Sequence, residues 1–363
     1  MKVGIVGLPF VGKTTIFNAL TRSDAETGNY AASQSSNVSS VQVPDPRLTK
    51  LAELFEPKKV TPTTIDYIDV AGLSKGDSER IGFEASFLAD LREVDALAQV
   101  VRVFEDESVP HIDGSIDPIR DIETIELEFA VADLKIIEKR IERIERDLRV
   151  QNNADLQNQL EVLHRCEESL QDGTAIRELN FSEAEEKMIR GYQFLSQKPL
   201  LIILNIAEDE IERVEKIEGV FSSYAERSET EIFALSARLE MEIAQLDSDE
   251  SAIFQEEMGL PEPALSRFIQ VSYRLLGLIT FLTAGGPNEV RAWTLPKGST
   301  AIEAAGTIHS DLARGFIRAE TIFWQDLVQL GGFSEAKSTG KLRLEGKEYT
   351  VQDGDVLTIR FNV

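Results

Sequence analysis

The stretch Gly7-Leu8-Pro9-Phe10-Val11-Gly12-Lys13-Thr14 decides the fold, because its spacing Gly-x-x-x-x-Gly-Lys-Thr is that of a phosphate-binding loop. An apolar segment, residues 2–7, precedes it, and a helical pattern begins near Lys13. In this arrangement backbone N–H groups and the N-terminal end of the helix surround a phosphate group, and glycine permits the close approach. A chance glycine turn before a helix is the alternative, and the strand–loop–helix context argues against it.

The loop also predicts how a nucleotide would be held. Lys13 is expected to reach the β- and γ-phosphates, and the Thr14 hydroxyl is expected to bind Mg²⁺. The residues of this region that we expect to contact the nucleotide are Gly7, Pro9, Phe10, Val11, Gly12, Lys13, Thr14 and Thr15.

A second element that could hold the metal begins at Asp69, which ends an apolar segment. Asp69-Val70-Ala71-Gly72 has the Asp-x-x-Gly form of a GTPase-type switch, in which Asp69 would hold Mg²⁺ directly or through water. Gly72 could offer its backbone N–H to the γ-phosphate. An ordinary strand-end aspartate in a turn is the alternative. Lys13, Asp69 and Gly72 are the candidate catalytic residues.

The base site is predicted at the segment Asn205-Ile206-Ala207-Glu208. GTPases carry Asn-Lys-x-Asp here, and the aspartate accepts both guanine donors, N1–H and N2–H₂. Ile206 and Glu208 depart from that pattern, and adenine offers only one amino donor beside an acceptor. We therefore expect ATP to be preferred over GTP, with dual specificity left open. Ser236 and Ala237 are expected to contact the nucleotide through backbone N–H groups.

Alternating strand and helix patterns indicate an α/β domain with a doubly wound, largely parallel sheet. The predicted strands are residues 2–7, 65–69, 97–104, 199–205 and 231–237, with helices at 14–20 and 84–94. Nucleotides bind at the carboxyl ends of such strands, which is where the phosphate loop and Asp69 lie.

Two other regions interrupt or follow this pattern. Leu134, Ile137, Ile141, Ile144 and Leu148 have the 3, 4, 3, 4 spacing of a heptad seam. After a polar break a similar stripe resumes at Leu156, which predicts an antiparallel coiled-coil hairpin.

The sequence of the C-terminal region predicts a small α+β module with strands at 279–283, 290–295, 341–344, 349–351 and 356–361, and a helix capped by Ser299. We predict a nucleotide-binding domain of residues 1–120 and 198–274, a helical insertion of 121–197 and a C-terminal module of 278–363.

Composition limits the classes of function. The chain has 38 basic and 63 acidic residues, a formal net charge of −25, which argues against a generic nucleic-acid binder but is compatible with a nucleotide site. No apolar run is long enough to span a bilayer, and no secretion leader is expected. The single cysteine fits a reducing compartment. We expect a cytoplasmic protein, without a membrane partner and monomeric.

Together these features make the chain similar to the YchF / Obg-like ATPase family, and the resemblance covers essentially the whole sequence. The stretches that carry it are Met1-Lys2-Val3-Gly4-Ile5-Val6-Gly7-Leu8-Pro9, Val43-Pro44-Asp45-Pro46-Arg47-Leu48, Asp69-Val70-Ala71-Gly72-Leu73, Val290-Arg291-Ala292-Trp293-Thr294 and Gly315-Phe316-Ile317-Arg318-Ala319-Glu320. The resemblance implies a P-loop domain with a coiled-coil insertion and a C-terminal TGS domain of β-grasp type. It further implies hydrolysis of ATP to ADP and phosphate, Mg²⁺, slow turnover without a partner, and docking on the ribosome or ribosomal RNA.

The chain departs from the family at several positions. Phe10 replaces an asparagine that ligates an activating potassium ion in related hydrolases, which makes potassium activation doubtful. Ser33 best matches the Mg²⁺-binding threonine of switch I, with Ser35 and Ser36 as competitors. Leu73 occupies the position at which many GTPases carry a glutamine that orients the attacking water, and other family members share this apolar substitution.

Two further side chains and two functions stay open at this level. Arg80 could stabilise charge or be an ordinary solvated arginine, and His111 could approach the γ-phosphate or lie on the surface. The basic residues of the hairpin form a solvated, ion-paired face or an RNA-docking face. The chain is accordingly either a true ATPase or a nucleotide-responsive ribosome-binding module with little hydrolysis.

Overall fold

The computed structural model describes residues 1–21, 37–70, 85–257 and 263–362. The predictions that concern Ser33, Gly72, Leu73 and Arg80 lie outside the described residues.

The strands of the described residues alternate with helices in the first part of the chain and cluster in the last. They are β1 (Lys2–Val6), β2 (Asn37–Gln42), β3 (Lys59–Thr61), β4 (Thr64–Asp69), β5 (Ala96–Arg102), β6 (Leu200–Asn205), β7 (Thr230–Leu235), β8 (Leu278–Thr283), β9 (Glu289–Pro296), β10 (Phe316–Phe323), β11 (Arg343–Glu345) and β12 (Asp355–Phe361).

The helices include one much longer than the rest. The α-helices are α1 (Lys13–Thr21), α2 (Pro46–Phe55), α3 (Ala85–Arg92), α4 (Pro118–Val150), α5 (Ala154–Gln171), α6 (Glu183–Ile189), α7 (Val214–Val220), α8 (Ser222–Ala225), α9 (Ala237–Gln245), α10 (Ser248–Glu257), α11 (Ala264–Leu275), α12 (Ala301–Ile308), α13 (Ser310–Arg314), α14 (Trp324–Leu330) and α15 (Phe333–Ser338). Short 3₁₀ helices cover Ile176–Glu178, Arg190–Tyr192 and Glu208–Arg213.

The first sheet has the strand order β2-β4-β1-β5-β6-β7. The pairs β4–β1, β1–β5, β5–β6 and β6–β7 are all parallel. Every residue of β5 and β6 is buried, as expected for strands covered by helices on both faces. The predicted doubly wound α/β fold is confirmed, and the carboxyl ends of β1, β4, β6 and β7 share one edge of the sheet.

The second sheet has the order β11-β10-β12-β8-β9-β3 and is mixed. Antiparallel pairs join β10 to β11, β10 to β12 and β8 to β9, whereas β12–β8 and β3–β9 are parallel. One apolar core places helices α2, α14 and α15 against this sheet. Other clusters place Ala301, Ala304 and Ala305 of α12 against it. The predicted C-terminal β domain is confirmed.

Two local expectations for this region were wrong, and one strand was not predicted. Residues 349–351 form only an isolated bridge, Thr300 to Thr350. Thr300, not Ser299, precedes α12, and its backbone N–H donates to Glu303 Oε2 at 2.7 Å in a capping box. Strand β10 was not predicted because its register shifts between Phe316 and Arg318, and that irregularity removes the alternation by which a strand is recognised.

The chain divides into two compact units. Residues 1–40 and 66–268 form the first, and residues 41–65 and 269–363 form the second. Residues 41–65 were expected in the nucleotide-binding domain. They lie instead in the second unit, where Leu48 and Leu51 of α2 join its core and β3 is an edge strand of its sheet. The other domain boundaries stay predictions.

Helices α4 and α5 form a hairpin in the first unit. Ile137, Ile141 and Ile144 of α4 and Leu163 of α5 are buried in one cluster. A third segment, which contributes Ile176, Ile189 and Phe194, packs on the same cluster. The hairpin is therefore not a two-helix structure alone, because its apolar face is completed by the chain that follows it. None of the described helices is long and apolar enough to cross a membrane.

Candidate nucleotide-binding site

The phosphate loop joins β1 to α1 and depends on two glycines. Gly7 has φ 151° and Gly12 has φ 101°, in the region that side chains disfavour. A Cβ on Gly7 would lie 2.4 Å from the Val100 carbonyl oxygen, and one on Gly12 would lie 2.4 Å from Asn205 Nδ2. Neither of these two atoms is the end of a flexible side chain in open space. Both positions therefore require glycine, for the positive φ of the backbone and for the space that a Cβ would occupy.

Phe10 adopts φ 64° in the same loop, a left-handed conformation that is uncommon outside glycine, asparagine and aspartate. Its ring is partly exposed, with 42% of the residue accessible. Val11 is buried, whereas Pro9 and Thr15 are half-buried. Phe10 thus presents a ring, which has no oxygen to offer a potassium ion, at the position where members of the resembling family usually carry asparagine.

Lys13 is the first residue of α1 and is half-buried. Its ammonium donates to the carbonyl oxygens of Gly7, at 3.1 Å, and Leu8, at 2.8 Å. Burial lowers the pKa of Lys13 to about 8, and the nearby Asp69 carboxylate offsets part of this effect. The ammonium is therefore held within the loop, where a bound triphosphate would compete with the two carbonyl oxygens for it.

Thr14 and Asp69 meet at the ends of α1 and β4. The Thr14 hydroxyl donates to Asp69 Oδ2 at 3.0 Å. Asp69 is buried, and burial raises the pKa of its carboxyl, while the Thr14 hydrogen bond and the Lys13 charge act in the opposite direction. The two predicted metal ligands are thus brought within contact of one another.

This pair fits Mg²⁺. Magnesium takes oxygen ligands and is usually bound by one or two protein groups together with substrate phosphates and water. Within the described ranges, no group of three or more acidic, histidine or cysteine side chains could hold a metal ion. Thr14 and Asp69 would therefore hold Mg²⁺ jointly with a nucleotide, and the ion would screen the charge of its phosphates.

Asn205, at the end of β6, links the phosphate loop to the segment that follows β7. Its Nδ2 donates to the Val11 carbonyl oxygen at 2.9 Å, and its Oδ1 accepts from the Ala237 N–H at 3.0 Å. Asn205 and Ala237 are both buried. The Asn205 amide therefore braces two loops, a role that sequence reasoning did not assign to it, and the Ala237 N–H is already paired.

The remaining base-site residues differ in accessibility. Ile206 and Ser236 are buried, and Ser236 caps α9 by accepting from the Leu239 N–H. Glu208 is accessible: its side chain is 40% exposed, and its Oε1 lies 2.9 Å from Nε of Arg238. Sequence reasoning did not single out Arg238, although it directly follows Ser236-Ala237.

His111 lies beside the base of α4. Its Nδ1 accepts from the Asp113 N–H at 3.1 Å, which leaves Nε2 to donate to Asp121 Oδ2 at 2.9 Å. The imidazole is only 6% exposed. The sequence analysis offered two alternatives for His111, a contact with the γ-phosphate or a surface position, and neither describes this arrangement. Asp121 contacts His111 because it lies in the first turn of the long helix α4.

Comparisons with known proteins identify the family of the chain. A family model described as "50S ribosome-binding GTPase" matches residues 2–132, and the YchF-type C-terminal model, described as a protein of unknown function, matches residues 278–362. A Bacillus subtilis protein named "Ribosome-binding ATPase YchF" is 46% identical over 100% of both chains. The chain belongs to the YchF family.

Other relatives of this family are similar over the same length. An Escherichia coli O157:H7 protein, also named "Ribosome-binding ATPase YchF", is 42% identical over 100% of this chain and 99% of its own. The solved structure of the Schizosaccharomyces pombe YchF GTPase is 30% identical, with a TM-score of 0.87 over 99% of this chain and 97% of that one. Similarity across the full length means that all the regions described above have counterparts in these YchF proteins.

Proposed function

We propose that this YchF protein binds ATP with Mg²⁺ and hydrolyses it to ADP and phosphate. The observation that carries the proposal is that Lys13, the Thr14–Asp69 pair and the Asn205–Glu208 segment converge on one edge of the parallel sheet. A phosphate-binding loop, a metal-binding pair and a base-binding segment in this order suffice to hold one nucleoside triphosphate.

Each group has a distinct part in the proposed reaction. Lys13 would transfer its hydrogen bonds from loop carbonyl oxygens to the β- and γ-phosphates, and it would stabilise the charge that develops during transfer. Bound Mg²⁺ would supply charge neutralisation at the phosphate oxygens. Glu208 would accept the single amino donor of adenine. Gly72 and Ser33 are proposed to sense the γ-phosphate and to complete the metal site.

The proposed output is a nucleotide-dependent switch that docks on the ribosome. The relatives named as ribosome-binding support this partner. Charge supports a role for the second unit: it carries 14 basic and 13 acidic residues, whereas the first unit carries 24 and 50. An RNA surface would repel the second unit far less than the first. The proposed setting is the cytoplasm, and the proposed form is a monomer.

Phosphate release under multiple-turnover conditions tests the proposal. Purified protein with Mg·ATP should release phosphate, slowly alone and faster with ribosomes, and Mg·GTP should be the poorer substrate. Lys13→Ala is the control for contaminating hydrolases. ATP binding without Lys13-dependent release would favour the second candidate, a nucleotide-responsive binding module. The pairing of His111 with Asp121 also favours that candidate, because it occupies the imidazole nitrogen that could otherwise contact the γ-phosphate or a water.

Ribosome docking is tested separately by co-sedimentation. The protein with a non-hydrolysable ATP analogue, with ADP or with no nucleotide is centrifuged with ribosomes at several salt concentrations. The proposal expects the bound fraction to depend on the nucleotide. An identical bound fraction in all three states would contradict the switch, and no bound fraction at low salt would contradict the partner.

A further inference from the structure

Two charged side chains meet at the base-binding end of the site. Glu208 begins the 3₁₀ helix that follows β6, and Arg238 is the second residue of α9, which follows β7. Strands β6 and β7 are parallel neighbours, with Asn205 opposite Leu235. The two loops therefore leave the sheet side by side, and this brings Glu208 Oε1 within 2.9 Å of Arg238 Nε.

The two oxygens of the Glu208 carboxylate are not equivalent. Oε1 is buried and has no hydrogen bond of good geometry, so the Arg238 guanidinium is the charge that compensates it. For Oε2 no hydrogen bond or ion pair is found among the described residues. Because the side chain as a whole is 40% exposed, the carboxylate combines one oxygen committed to Arg238 with one that remains for a ligand.

We propose that Arg238 is a positioning residue that favours adenine over guanine by occupying one oxygen of Glu208. The inference rests on the proposed function, in which Glu208 faces the base. Guanine presents two parallel donors, N1–H and N2–H₂, and needs two acceptor oxygens. Adenine presents one amino donor to this edge and needs one. With the Arg238 guanidinium 2.9 Å from Oε1, the carboxylate can accept the one amino donor of adenine through Oε2 but leaves one guanine donor unpaired, which is a costly state for a desolvated group.

The position of Arg238 makes this role separable from folding. Its side chain is 78% exposed, and an exposed ion pair contributes little to stability. A second carboxylate, Glu242, lies 3.6 Å from the same Nε, one turn along α9, and its side chain is 53% exposed. Glu242 is a matched control, since it contacts Arg238 without belonging to the loop that follows β6.

The test is the ratio of dissociation constants for Mg-bound, non-hydrolysable ATP and GTP analogues, measured for the full chain. Arg238→Ala frees Glu208 Oε1 and should lower the preference for ATP by about two- to fivefold, mainly by lowering the dissociation constant of the GTP analogue. Arg238→Lys should retain most of the preference, because an ammonium can still occupy Oε1. Glu242→Gln should leave the ratio unchanged.

An inosine triphosphate analogue adds a readout that a general structural effect would not move. Hypoxanthine keeps N1–H but lacks the 2-amino group, so it needs only one acceptor and should gain less than guanine in Arg238→Ala. An unchanged ATP:GTP ratio in Arg238→Ala, or an equal change in Glu242→Gln, would overturn the inference while the proposed function stood. A wild-type preference for GTP would overturn both, since the proposed base specificity would then be wrong.

Discussion

The phosphate end and the base end of this site are built in different ways. At the phosphate end the backbone determines the geometry: Gly7 and Gly12 have positive φ values and neighbours only 2.4 Å from where a Cβ would be. At the base end side chains determine it, through the buried Asn205 amide and the exposed Glu208–Arg238 pair. We therefore expect substitutions at Gly7 and Gly12 to impair nucleotide binding itself, whereas substitutions at the Glu208–Arg238 pair should adjust the choice of base.

The largest expected effect is at Lys13. Lys13→Ala removes the ammonium that the loop holds for the phosphates, and should weaken Mg·ATP binding by roughly 100-fold or more, since hydrogen bonds from a charged donor to phosphate are among the strongest. Lys187→Ala is the matched control, because Lys187 is exposed and pairs with Glu183 on the hairpin side of the first unit's helical region, away from the phosphate loop in the sequence. Calorimetric titration measures both variants. Equal affinities for the two would place the phosphates elsewhere.

Gly12 provides the next test. Gly12→Ala puts a methyl group 2.4 Å from Asn205 Nδ2 at φ 101°, so it should reduce ATP affinity roughly 10- to 100-fold and lower the melting temperature. Gly219→Ala is the control: Gly219 lies in helix α7, and no atom is found within 4 Å of a Cβ there. That control should be stabilising by about 0.5–1 kcal/mol. A Gly12→Ala protein with normal affinity would show that the loop is not constrained as described.

Asn205 tests the connection between the two ends. Asn205→Asp keeps an acceptor for the Ala237 N–H but replaces the donor to the Val11 carbonyl oxygen. A buried acceptor left without its partner costs about 1–3 kcal/mol, so both unfolding stability and affinity for ATP should fall. Denaturant unfolding and nucleotide titration measure the two losses. A variant that changes the ratio of the ATP and GTP dissociation constants, without weakening the binding of both nucleotides, would contradict the bracing role.

A graded effect on ATP affinity is expected from pH. Burial lowers the pKa of Lys13 to about 8, and bound phosphates would raise it again. Below pH 8 the ammonium is charged before binding. Above pH 8 it must take up a proton to bind, so affinity should fall as pH rises, by at most about tenfold per pH unit. Titrations in buffers of different ionisation enthalpy measure this uptake. A constant affinity from pH 7 to pH 9.5 would contradict it.

The phosphate end was the part that the sequence predicted best. Loop geometry there follows from local spacing, and the same holds for the strands of the first sheet, whose apolar runs end at Gly7, Asp69 and Asn205. Two side-chain contacts near the site were not predicted. Arg238 and Glu208 are brought together by neighbouring parallel strands, and His111 and Asp121 by the start of α4, and neither contact leaves a local pattern.

The assignment of residues 41–65 was missed for a related reason. Helix α2 has an N-cap at Asp45, and its Arg47 bonds both to Asp45 and to Asp353, more than 300 residues away in the sequence. Local signals locate the helix correctly but do not say which core receives Leu48 and Leu51. Leu48 and Leu51 join the core of the second unit, so a segment that lies in the sequence between two predicted nucleotide-site motifs belongs to the other unit.

Whether one loop holds both nucleotides is decided by an equilibrium titration of the full chain with non-hydrolysable ATP and GTP analogues in Mg²⁺, with Lys13→Ala in parallel. We expect the wild-type protein to bind both analogues, to bind the ATP analogue more tightly, and to lose the binding of both in Lys13→Ala. Tighter binding of the GTP analogue, or binding of either analogue that survives in Lys13→Ala, would contradict this expectation.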